Sequence, residues 1–578
     1  MRSLDFTRGR YRPSSSLAAL VYVAVTAAIF HNLLAVVSTR IYSDLGDVLL
    51  NASILRWNAI HVPLSHDWWN YPSFAPLSGV TAWTEHLLGA YPLTTPIVWA
   101  TGNPVLAYNV LLMVCFPLNG LAMFALAREV TGSDAGALAA GLAFAFAPYQ
   151  SSQLAHVQML MAFGMPLALL GLHQYVERGR RQGVAWFTIG WLSVALSNAY
   201  MLVFFPILVA LWCVWFARGG ADLRLARQSR EAATAAGPRV KRLIPIAIAA
   251  GLVMIGVAPL LWGYHVRQAA YGFARQYDEI RSFGADLTGL VSIAHQEVLW
   301  SRWLNTTFIE AAIFPGAAIL ALTVIGVTPR LRAAWTRRDP VVFYAAGAVA
   351  MWLLALGPEP AWNGMRMLSY GPYRLLLMLP GAASIRVPAR AWQPAVVCLA
   401  VTAGAGAATL MRHARWRWAA VALSIVIVAE GWFVDLPRQV PQPVRAGLIP
   451  SGALVLDLPI GAAADNVPAE YLAVMGGYRT INGYSGYAPP HLAPLREALA
   501  SHQPTAFDSF RVLDDVYVIV RPVIDAPFIR WMESQSGTER VSESPAWTLY
   551  RLPRIGEGAP TTLPVPLPAP GRLAFQLR

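Results

Sequence analysis

The sequence predicts an α-helical polytopic membrane protein with about eleven transmembrane helices, followed by a small C-terminal α+β domain. Three observations lead to this fold class. Hydrophobic residues make up 56% of the 578 residues and charged residues only 13%, whereas soluble domains carry about 25% charge. The apolar residues fall in runs of transmembrane length. Arginines gather in the short segments between these runs, where membrane topology places them.

The predicted spans follow the apolar runs, and prolines and glycines mark several of their ends. A run of about 20 residues is enough to cross the hydrocarbon core. The spans are predicted at 17–37, 105–127, 134–148, 155–176, 183–197, 199–217, 243–263, 306–327, 340–357, 391–410 and 417–435. An odd number of spans places the two ends of the chain on opposite sides of the membrane.

The basic residues orient these spans. With a cytoplasmic N-terminus, the inner segments hold 22 basic residues, whereas the long outer loop 38–104 holds only Arg40 and Arg56. Basic residues favour the cytoplasmic side. We therefore expect a multi-pass protein of the inner (cytoplasmic) membrane with an extracytoplasmic C-terminus, and we interpret the net charge of +13 as topology and not as binding to nucleic acid.

The chain then divides into residues 1–435, a transmembrane domain, and residues 436–578, an extracytoplasmic domain with its tail. Runs at 453–458 and 516–520 in the second part predict strands. Within the first part, outer loop 38–104 is expected to carry amphipathic helices at the membrane interface. Four tryptophans support this placement, because tryptophan favours that zone: Trp68, Trp69, Trp83 and Trp99.

Two acids in the first outer loop are the main catalytic candidates. Asp44 and Asp47 follow the first span, and a carboxylate at a membrane-edge cavity can be tuned into a general base. The alternative is structural: both acids stand at the start of a helical pattern over 48–60, where acids cap helices and favour the positive end of the dipole. The two interpretations are compatible if one acid caps the helix and the other acts as base.

Histidines in the outer segments form a second set of candidates. Glu85 and His86 are adjacent, an arrangement that can orient a base or bind a divalent metal, although their spacing is not a metal motif. His156 lies at the mouth of a span, near Gln153. The structural alternatives are a helix cap for the first pair and a hydrogen-bonded interface residue for His156.

Arginines at the outer membrane edge form a third set. Arg386 and Arg390 flank Pro388 on the side where arginine is disfavoured, so they need an explanation. Arginine forks suit phosphate oxygens, while contact with lipid headgroups is the alternative. Two acids, Glu310 and Glu430, lie inside spans, where an acid usually has a partner. An ion pair with an outer arginine is the structural interpretation of both, and we favour it for Glu430.

Other classes of site lack support in the sequence. The chain has no Walker A, GxGxxG, HExxH or GxSxG motif in a supporting context, so a nucleotide-driven pump or a serine hydrolase is not indicated. The three cysteines lie in apolar runs without a CxxC spacing. We assign no metal ligands from these patterns.

The order of these features resembles the GT-C superfamily of integral membrane glycosyltransferases, and in particular the group of protein O-mannosyltransferases and the aminoarabinose transferase of lipid A. The resemblance covers almost the whole chain. The stretches that carry it are Asn103–Asn109, Ala145–Tyr149, Gln153–His156, Ala285–Leu287, Leu356–Pro358, Arg386–Arg390 and Asn482–Tyr487. It implies transfer of a sugar, with inversion, from a polyprenyl-phosphate donor to an extracytoplasmic lipid or cell-envelope glycan.

The resemblance also implies roles for residues. By motif position Asp44 or Asp47 would be the base, and Arg386 and Arg390, with Arg275, would hold the donor phosphate. Glu85, His86, His156 and Asp286 are the remaining substrate-binding candidates, with Glu85 and Asp286 nearest to the second acidic motif of the superfamily. Many members show Asp-x-Asp or Glu-x-Asp, whereas this chain has Asp-x-x-Asp, so a divalent metal is an option and not an assignment.

A second class of function stays open at this stage. A non-catalytic carrier or flippase for lipid-linked glycans, or an assembly partner for such a machine, would share the membrane architecture. Transporters often place ionisable residues near the bilayer midplane and contain inverted repeats. The sequence shows no repeat and the middles of its spans are largely apolar, which favours the enzyme.

Overall fold

A computed structural model describes residues 13–42, 45–217, 239–272, 275–306, 309–333, 338–379, 381–434, 436–444 and 447–556, together with residues 565 and 567. The longer helices of this part of the chain are Pro13–Ile29, Asp47–Ile60, Tyr91–Thr101, Pro104–Thr131, Asp134–Ala145, Gly164–Leu172, Gln182–Ser197, Met201–Ala217, Arg239–Ala270, Ala317–Val327, Pro340–Ala355, Trp392–Met411, Arg417–Glu430, Ala463–Gly476, Leu492–Ala500 and Ala526–Glu533. The shorter helices are His31–Leu34, Pro148–Ser152, Val157–Leu160, Tyr277–Ser282, Tyr373–Leu377 and Asp508–Arg511.

Four helical stretches of the described chain are long and apolar enough to cross a membrane: Pro104–Thr131, Val157–Glu177, Val240–Ala270 and Pro388–Met411. Shorter apolar helices cover Ser15–Ile29, Met201–Phe216 and Pro340–Ala355. The expectation of a helical membrane protein is thus confirmed in its class. The count of about eleven spans and the orientation of the chain stay predictions.

Helices occur at all the predicted spans, with two instructive differences. The span expected at 155–176 is divided into Val157–Leu160, Gly164–Leu172 and a π-helical turn, His173–Glu177. The span expected at 306–327 becomes a regular helix only from Ala317, because the preceding Gly316 has a φ of 95°. Hydropathy detects apolar runs, but it does not register such local breaks in the helical hydrogen-bond pattern.

The chain forms two compact units. Unit 1 comprises Met1–Leu34, Leu112–Gly256 and Ala274–Asp435, and unit 2 comprises Ala35–Leu111, Val257–Phe273 and Leu436–Arg578. The outer loop 38–104 therefore belongs to the same unit as the C-terminal residues. The division expected from the sequence, at residue 435, stays a prediction about domains.

Unit 1 is built around the helix Trp392–Met411, which is buried over nearly its whole length. It packs against Ala317–Val327, Asp134–Ala145 and Pro340–Ala355. A Cβ atom added to Gly136 would come within 2.6 Å of the carbonyl oxygen of Gly404. Small residues thus allow the backbones to approach closely, as is common between membrane helices.

Unit 2 contains a five-stranded sheet. Its strands, in spatial order, are Glu539–Ser544, Trp547–Leu552, Val516–Val520, Leu454–Leu458 and Arg479–Thr480. The last three run parallel to one another and the other pairs are antiparallel. The strands predicted near 453–458 and 516–520 both form, and every residue in them is buried, as expected for the centre of a covered parallel sheet.

The remaining strands are short. Arg40–Tyr42 pairs antiparallel with Pro437–Gln439 in unit 2. In unit 1, Ser292–Ile293 pairs parallel with Asn305–Thr306, and Ala361–Trp362 forms a hairpin with Met365–Arg366. Each of these ladders is a two-stranded sheet that ties loops together.

The outer-loop helices differ from the amphipathic form that we expected. Helix Asp47–Ile60 is buried on nearly every side and packs against Ala463–Gly476. Of the four tryptophans proposed as interface anchors, Trp68, Trp69 and Trp83 are buried, and Trp99 is 67% exposed. The Trp68 indole N–H donates to the side-chain oxygen of Asn58 (2.8 Å). A neighbouring polar side chain thus allows the tryptophan to be buried inside the unit.

Candidate functional site

Of the two candidate acids of the first outer loop, the structure describes only Asp47. Asp44 lies outside the described residues. Asp47 is the first residue of helix Asp47–Ile60, and Gly46 occupies the N-cap position. An acid in the first turn is stabilised by the positive end of the helix dipole. The position of Asp47 therefore agrees with the structural interpretation, an acid at the start of a helix. Its catalytic role stays a prediction.

His86 is built into the interior of unit 2. The imidazole Nδ1 accepts a hydrogen bond from the Leu88 N–H (3.1 Å), and the carbonyl of His86 accepts one from the Asn58 side chain (2.8 Å). Burial lowers the pKa of His86 to about 4. The imidazole is therefore neutral at pH 7, and its observed bonds hold the loop in place. Glu85, beside it, is half-buried.

The acid Glu310 organises the first charged cluster of unit 1. Arg390 donates to Glu310 from Nε and Nη2, with distances of 3.1 and 2.5 Å to Oε1. His156 Nε2 lies 3.9 Å from the same oxygen. The Arg390 guanidinium also stacks over the Tyr200 ring, 4.4 Å from its centroid. Glu310 thus forms the ion pair of its structural interpretation, with Arg390 as the partner.

Two further groups border this ion pair. His156 Nδ1 lies 3.3 Å from the side-chain oxygen of Gln153, as the structural interpretation of His156 expected. The hydroxyl of Tyr149 is buried, interacts electrostatically with Glu310 and Arg390, and makes no hydrogen bond within the described chain. The cluster thus contains one polar atom that could still bind a ligand.

A second cluster centres on Glu279. Arg275 Nη1 lies 3.1 Å from Glu279 Oε1, and Arg386 Nη1 lies 3.8 Å from the same oxygen. Arg386 also stacks over the Phe283 ring at 4.8 Å and interacts electrostatically with Glu310. Its Nε is buried without a hydrogen-bond partner in the described ranges. The structure thus brings Arg275, Arg386 and Arg390 into one connected network of charges.

Asp286 has a different environment. One carboxylate oxygen accepts hydrogen bonds from the N–H and hydroxyl of Thr288 and from the N–H of Asn363, and the other accepts from the N–H of Gly364. Burial acts to raise the pKa of Asp286, but these hydrogen bonds outweigh it and hold the pKa below its usual value. Its observed role is to attach the 361–366 hairpin to the turn that begins at Leu287.

Glu430 does not form the arginine pair that we expected. Its carboxylate accepts hydrogen bonds from the N–H groups of Ala317 and Ala318 (2.8 and 3.1 Å) and from the Trp300 indole (3.2 Å). The acid therefore caps the N-terminus of helix Ala317–Val327, where the dipole favours a negative charge. The helix begins only after Gly316, which hydropathy did not predict, and the free N–H groups of its first turn are the donors.

Three acids with many charged partners or deep burial were not among the candidates predicted from the sequence. Glu359 lies within 4 Å of three arginines, Arg281, Arg366 and Arg374. Glu297 accepts from the Ser151 hydroxyl (2.8 Å), and burial raises its pKa to about 8. Ser151 and Arg281 are distant in sequence from these acids, and the nearer partners Arg366 and Arg374 belong to a hairpin and a short helix that no local pattern predicted.

Glu470, in unit 2, is the third. It lines a narrow cleft together with Tyr71, Ser73, Trp83 and Tyr484. Its Oε1 accepts from the Tyr484 N–H (2.9 Å), while Oε2 is buried without a hydrogen bond inside the described ranges. Burial raises the pKa of Glu470 to about 8. The one sequence signal nearby is the stretch Asn482–Tyr487, which supplies that N–H donor.

Metal binding has no further support from the geometry. In the part of the chain that the structure describes, no group of three or more histidine, cysteine, aspartate or glutamate side chains is arranged to hold a metal ion. Asp44 lies outside these described residues.

The fold and these clusters define a helical membrane protein with charged networks in the segments between its apolar helices. The sequence matches the family described as "Domain of unknown function (DUF6311)" over residues 101–430. The match covers more than half of the chain, and the protein belongs to this family. No curated protein matches the sequence.

Two solved structures are similar over most of the chain. One is the arabinofuranosyltransferase AftD from Mycobacteria, with 15% identity and a TM-score of 0.47 over 94% of this chain. The other is the archaeal oligosaccharyltransferase AglB from Archaeoglobus fulgidus, solved with an inhibitory peptide and a dolichol-phosphate, with 12% identity and a TM-score of 0.46 over 88% of this chain. The alignments span 42% and 69% of those proteins.

Proposed function

We propose that the protein transfers a sugar from a polyprenyl-phosphate donor to a lipid or cell-envelope glycan acceptor outside the cytoplasmic membrane, with inversion. In this proposal a first-loop aspartate, Asp44 or Asp47, is the base, and Arg275 and Arg386 hold the donor phosphate. The observation that carries the proposal is the sharing of one carboxylate, Glu279, by these two arginines.

The charge balance at Glu279 favours an anionic ligand. Two guanidinium groups, those of Arg275 and Arg386, lie beside the single carboxylate of Glu279. Arg386 is 30% exposed and lies 3.8 Å from Glu279, too far for a good hydrogen bond. Its Nε also lacks a partner in the described part of the chain. Guanidinium groups with open N–H donors bind phosphate oxygens well, since the planar fork matches two oxygens at once.

The proposed reaction needs these charges at its leaving group. The acceptor oxygen forms a bond to the anomeric carbon while the bond from that carbon to the phosphate oxygen breaks. The acceptor proton passes to the aspartate, which acts as general base. The polyprenyl phosphate leaves with additional negative charge, and fixed cations stabilise that charge as it develops.

The decisive experiment is transfer in detergent. Purified protein is mixed with the lipid extract and the envelope glycans of a strain in which the gene is deleted, and mass spectrometry measures the sugar gained by the acceptor. We expect product with the wild type, none with Asp44→Asn or Asp47→Asn, whichever is the base, and at least a tenfold lower yield with Arg386→Ala. Detergent removes the two compartments, so a carrier or flippase would give no product.

A matched control separates phosphate binding from a general loss of positive charge. Arg302 is an exposed arginine of unit 1, and Arg302→Ala should transfer as well as the wild type. Size-exclusion chromatography and thermal unfolding of each variant test whether it is folded. If Arg386→Ala and both aspartate variants are folded and fully active, the proposed site is wrong. If the wild type itself gives no product while it restores the envelope glycan in cells, the carrier function replaces the enzyme.

A further inference from the structure

A segment of unit 1 between two apolar helices exposes an unusual amount of apolar surface. After helix Pro340–Ala355 the chain forms a hairpin, Ala361–Trp362 with Met365–Arg366, and then the short helix Tyr373–Leu377. Asn363 and Gly364 both have positive φ, the conformation of a tight two-residue hairpin turn. The segment is thus a built structure, attached by Asp286 at the hairpin turn.

The apolar patch is the set of large side chains in this segment that are more than half exposed. Its members are Trp362, Met365, Met367, Leu368, Tyr370, Leu375, Met378 and Leu379, with exposed fractions from 53% to 79%. Single exposed apolar residues are common on any protein, but a run of this density marks a surface that contacts lipid or another molecule.

Three arginines border the apolar patch. Arg281, Arg366 and Arg374 lie 3.7, 3.6 and 2.8 Å from the carboxylate of Glu359. Arg281 also pairs with Asp278 (3.4 Å), so three positive charges face two carboxylates and one positive charge is in excess in this group. Arg374 also stacks over the ring of Tyr370, a patch residue, at 4.3 Å, and the 59% exposed Arg366 stands between Met365 and Met367 in the chain. Excess positive charge therefore adjoins the apolar surface.

We propose that the segment 361–379 inserts into the membrane surface, with the apolar patch among the acyl chains and Arg281, Arg366 and Arg374 at anionic phosphate headgroups. Apolar and aromatic side chains bordered by arginines are typical of protein segments that lie in the membrane interface. Basic residues next to such a surface are attracted by anionic lipids. This inference is independent of the proposed transferase activity.

The charges also favour lipid over a second copy of the chain. In a twofold symmetric contact, the same patch of both copies meets, so the arginine groups of the two copies would be brought close together. Their like charges would oppose that contact. Anionic headgroups instead supply the missing negative charge and acyl chains cover the apolar side chains. A lipid surface therefore satisfies both features of the segment at once.

Spin-label accessibility on the full chain tests the insertion. Nitroxides are attached at Met365→Cys and Met378→Cys, and at Ser301→Cys, an exposed control position of unit 1, in protein reconstituted into lipid nanodiscs. The native cysteines are buried or half-buried, and labelling of the wild type measures their background. We expect collisions with dissolved oxygen to exceed those with a water-soluble nickel complex several-fold at positions 365 and 378, and the reverse at position 301.

Two results would overturn the insertion. Labels at positions 365 and 378 could be as accessible to the nickel complex as the label at position 301, which would place the segment in water. Alternatively, the labels could be shielded from both reagents or show spin–spin broadening, which would indicate a protein contact. Thermal unfolding and size-exclusion chromatography of each labelled protein establish that it is folded.

Lipid composition tests the arginine part of the proposal. The depth of the label at position 365 is compared in nanodiscs of phosphatidylcholine alone and in nanodiscs containing phosphatidylglycerol. We expect greater depth with the anionic lipid, and we expect the double variant Arg281→Gln, Arg366→Gln to lose that difference. Equal depth in both lipids for the unmodified arginines would contradict the role of anionic headgroups.

Discussion

Glu310 in unit 1 and Glu470 in unit 2 are both largely withdrawn from water, but their surroundings differ in one respect. The side chain of Glu310 is 16% exposed and receives two guanidinium nitrogens of Arg390. Glu470 is 1% exposed, and the donors beside it are uncharged, namely the backbone N–H of Tyr484 and the side chain of Ser73. Within the part of the chain that the structure describes, Glu310 has a cation beside it and Glu470 has none.

This difference determines which acid can take part in charge-dependent binding. A buried carboxylate is costly unless a cation or several donors compensate it. Glu310 meets this condition and fixes Arg390 in the network with Arg386, so its role depends on staying ionised. Glu470 does not meet it, and burial raises its pKa to about 8. Glu470 is therefore mostly protonated at pH 7 and acts as a neutral core group.

The largest expected effect on stability comes from removing Arg390, the cation beside Glu310. Arg390→Ala leaves Glu310 buried without its main counter-charge, and breaking a buried ion pair in this way costs about 3–5 kcal/mol. Thermal unfolding in detergent should show a clear drop in midpoint relative to the wild type. The Arg390→Met, Glu310→Leu double variant removes both charges and should recover most of the loss. A single variant as stable as the wild type would show that the pair is not needed to hold Glu310.

The second prediction concerns Glu470→Gln, a substitution that makes this side chain permanently neutral. In an unfolded chain its pKa is about 4.5, and in the folded protein it is about 8. Below pH 4.5 both states hold the proton, so there is no penalty. As the pH rises above 4.5 only the unfolded state releases the proton, which costs the folded state about 1.4 kcal/mol per pH unit up to about pH 8. Glu470→Gln should therefore be more stable than the wild type by about 3 kcal/mol at pH 7.

Unfolding midpoints at pH 5 and pH 7 check this dependence. The advantage of Glu470→Gln over the wild type should be small at pH 5 and grow toward pH 8. Glu497→Gln, an exposed acid in the same unit, is the matched control and should follow the wild type at both values. An advantage that does not change with pH would mean that Glu470 is ionised in the folded protein.

The sequence predicted the parts of this comparison that depend on local patterns. Helices form where apolar runs predicted spans. Arg386 and Arg390 were site candidates because arginine is rare at an outer membrane edge. The pairing of Arg390 with Glu310, 80 positions away, depends on tertiary packing and no local pattern contains it. Glu470 was missed for the same reason, since in a helix of mixed composition its burial follows from the packing of Asp47–Ile60 against Ala463–Gly476.

The tryptophans of the outer loop show the clearest difference between the prediction and the structure. Trp68 and Trp69 were placed at the membrane interface from their residue type, yet both are buried in unit 2. An indole can lie inside a protein when its N–H has an acceptor and its ring a partner. Asn58 accepts from Trp68, and the Arg267 guanidinium lies 4.0 Å from the centre of the Trp69 ring. Composition could not separate these two environments.

The smallest effect concerns Asp286, a carboxylate that N–H and O–H donors stabilise and that pairs with no arginine among the described residues. Asp286→Asn places an amide among groups that donate hydrogen bonds, so at least one bond is lost, at a cost of about 1–2 kcal/mol. Hydrogen–deuterium exchange at Asn363 and Gly364 should accelerate roughly tenfold, since about 1.4 kcal/mol corresponds to that factor. Asp278→Asn, an exposed acid of the neighbouring helix, should leave this exchange unchanged. Equal exchange in both variants would mean that the hairpin holds its shape without Asp286. An accelerated exchange would show that Asp286 positions the hairpin of the segment proposed to enter the membrane, through hydrogen bonds to Asn363 and Gly364.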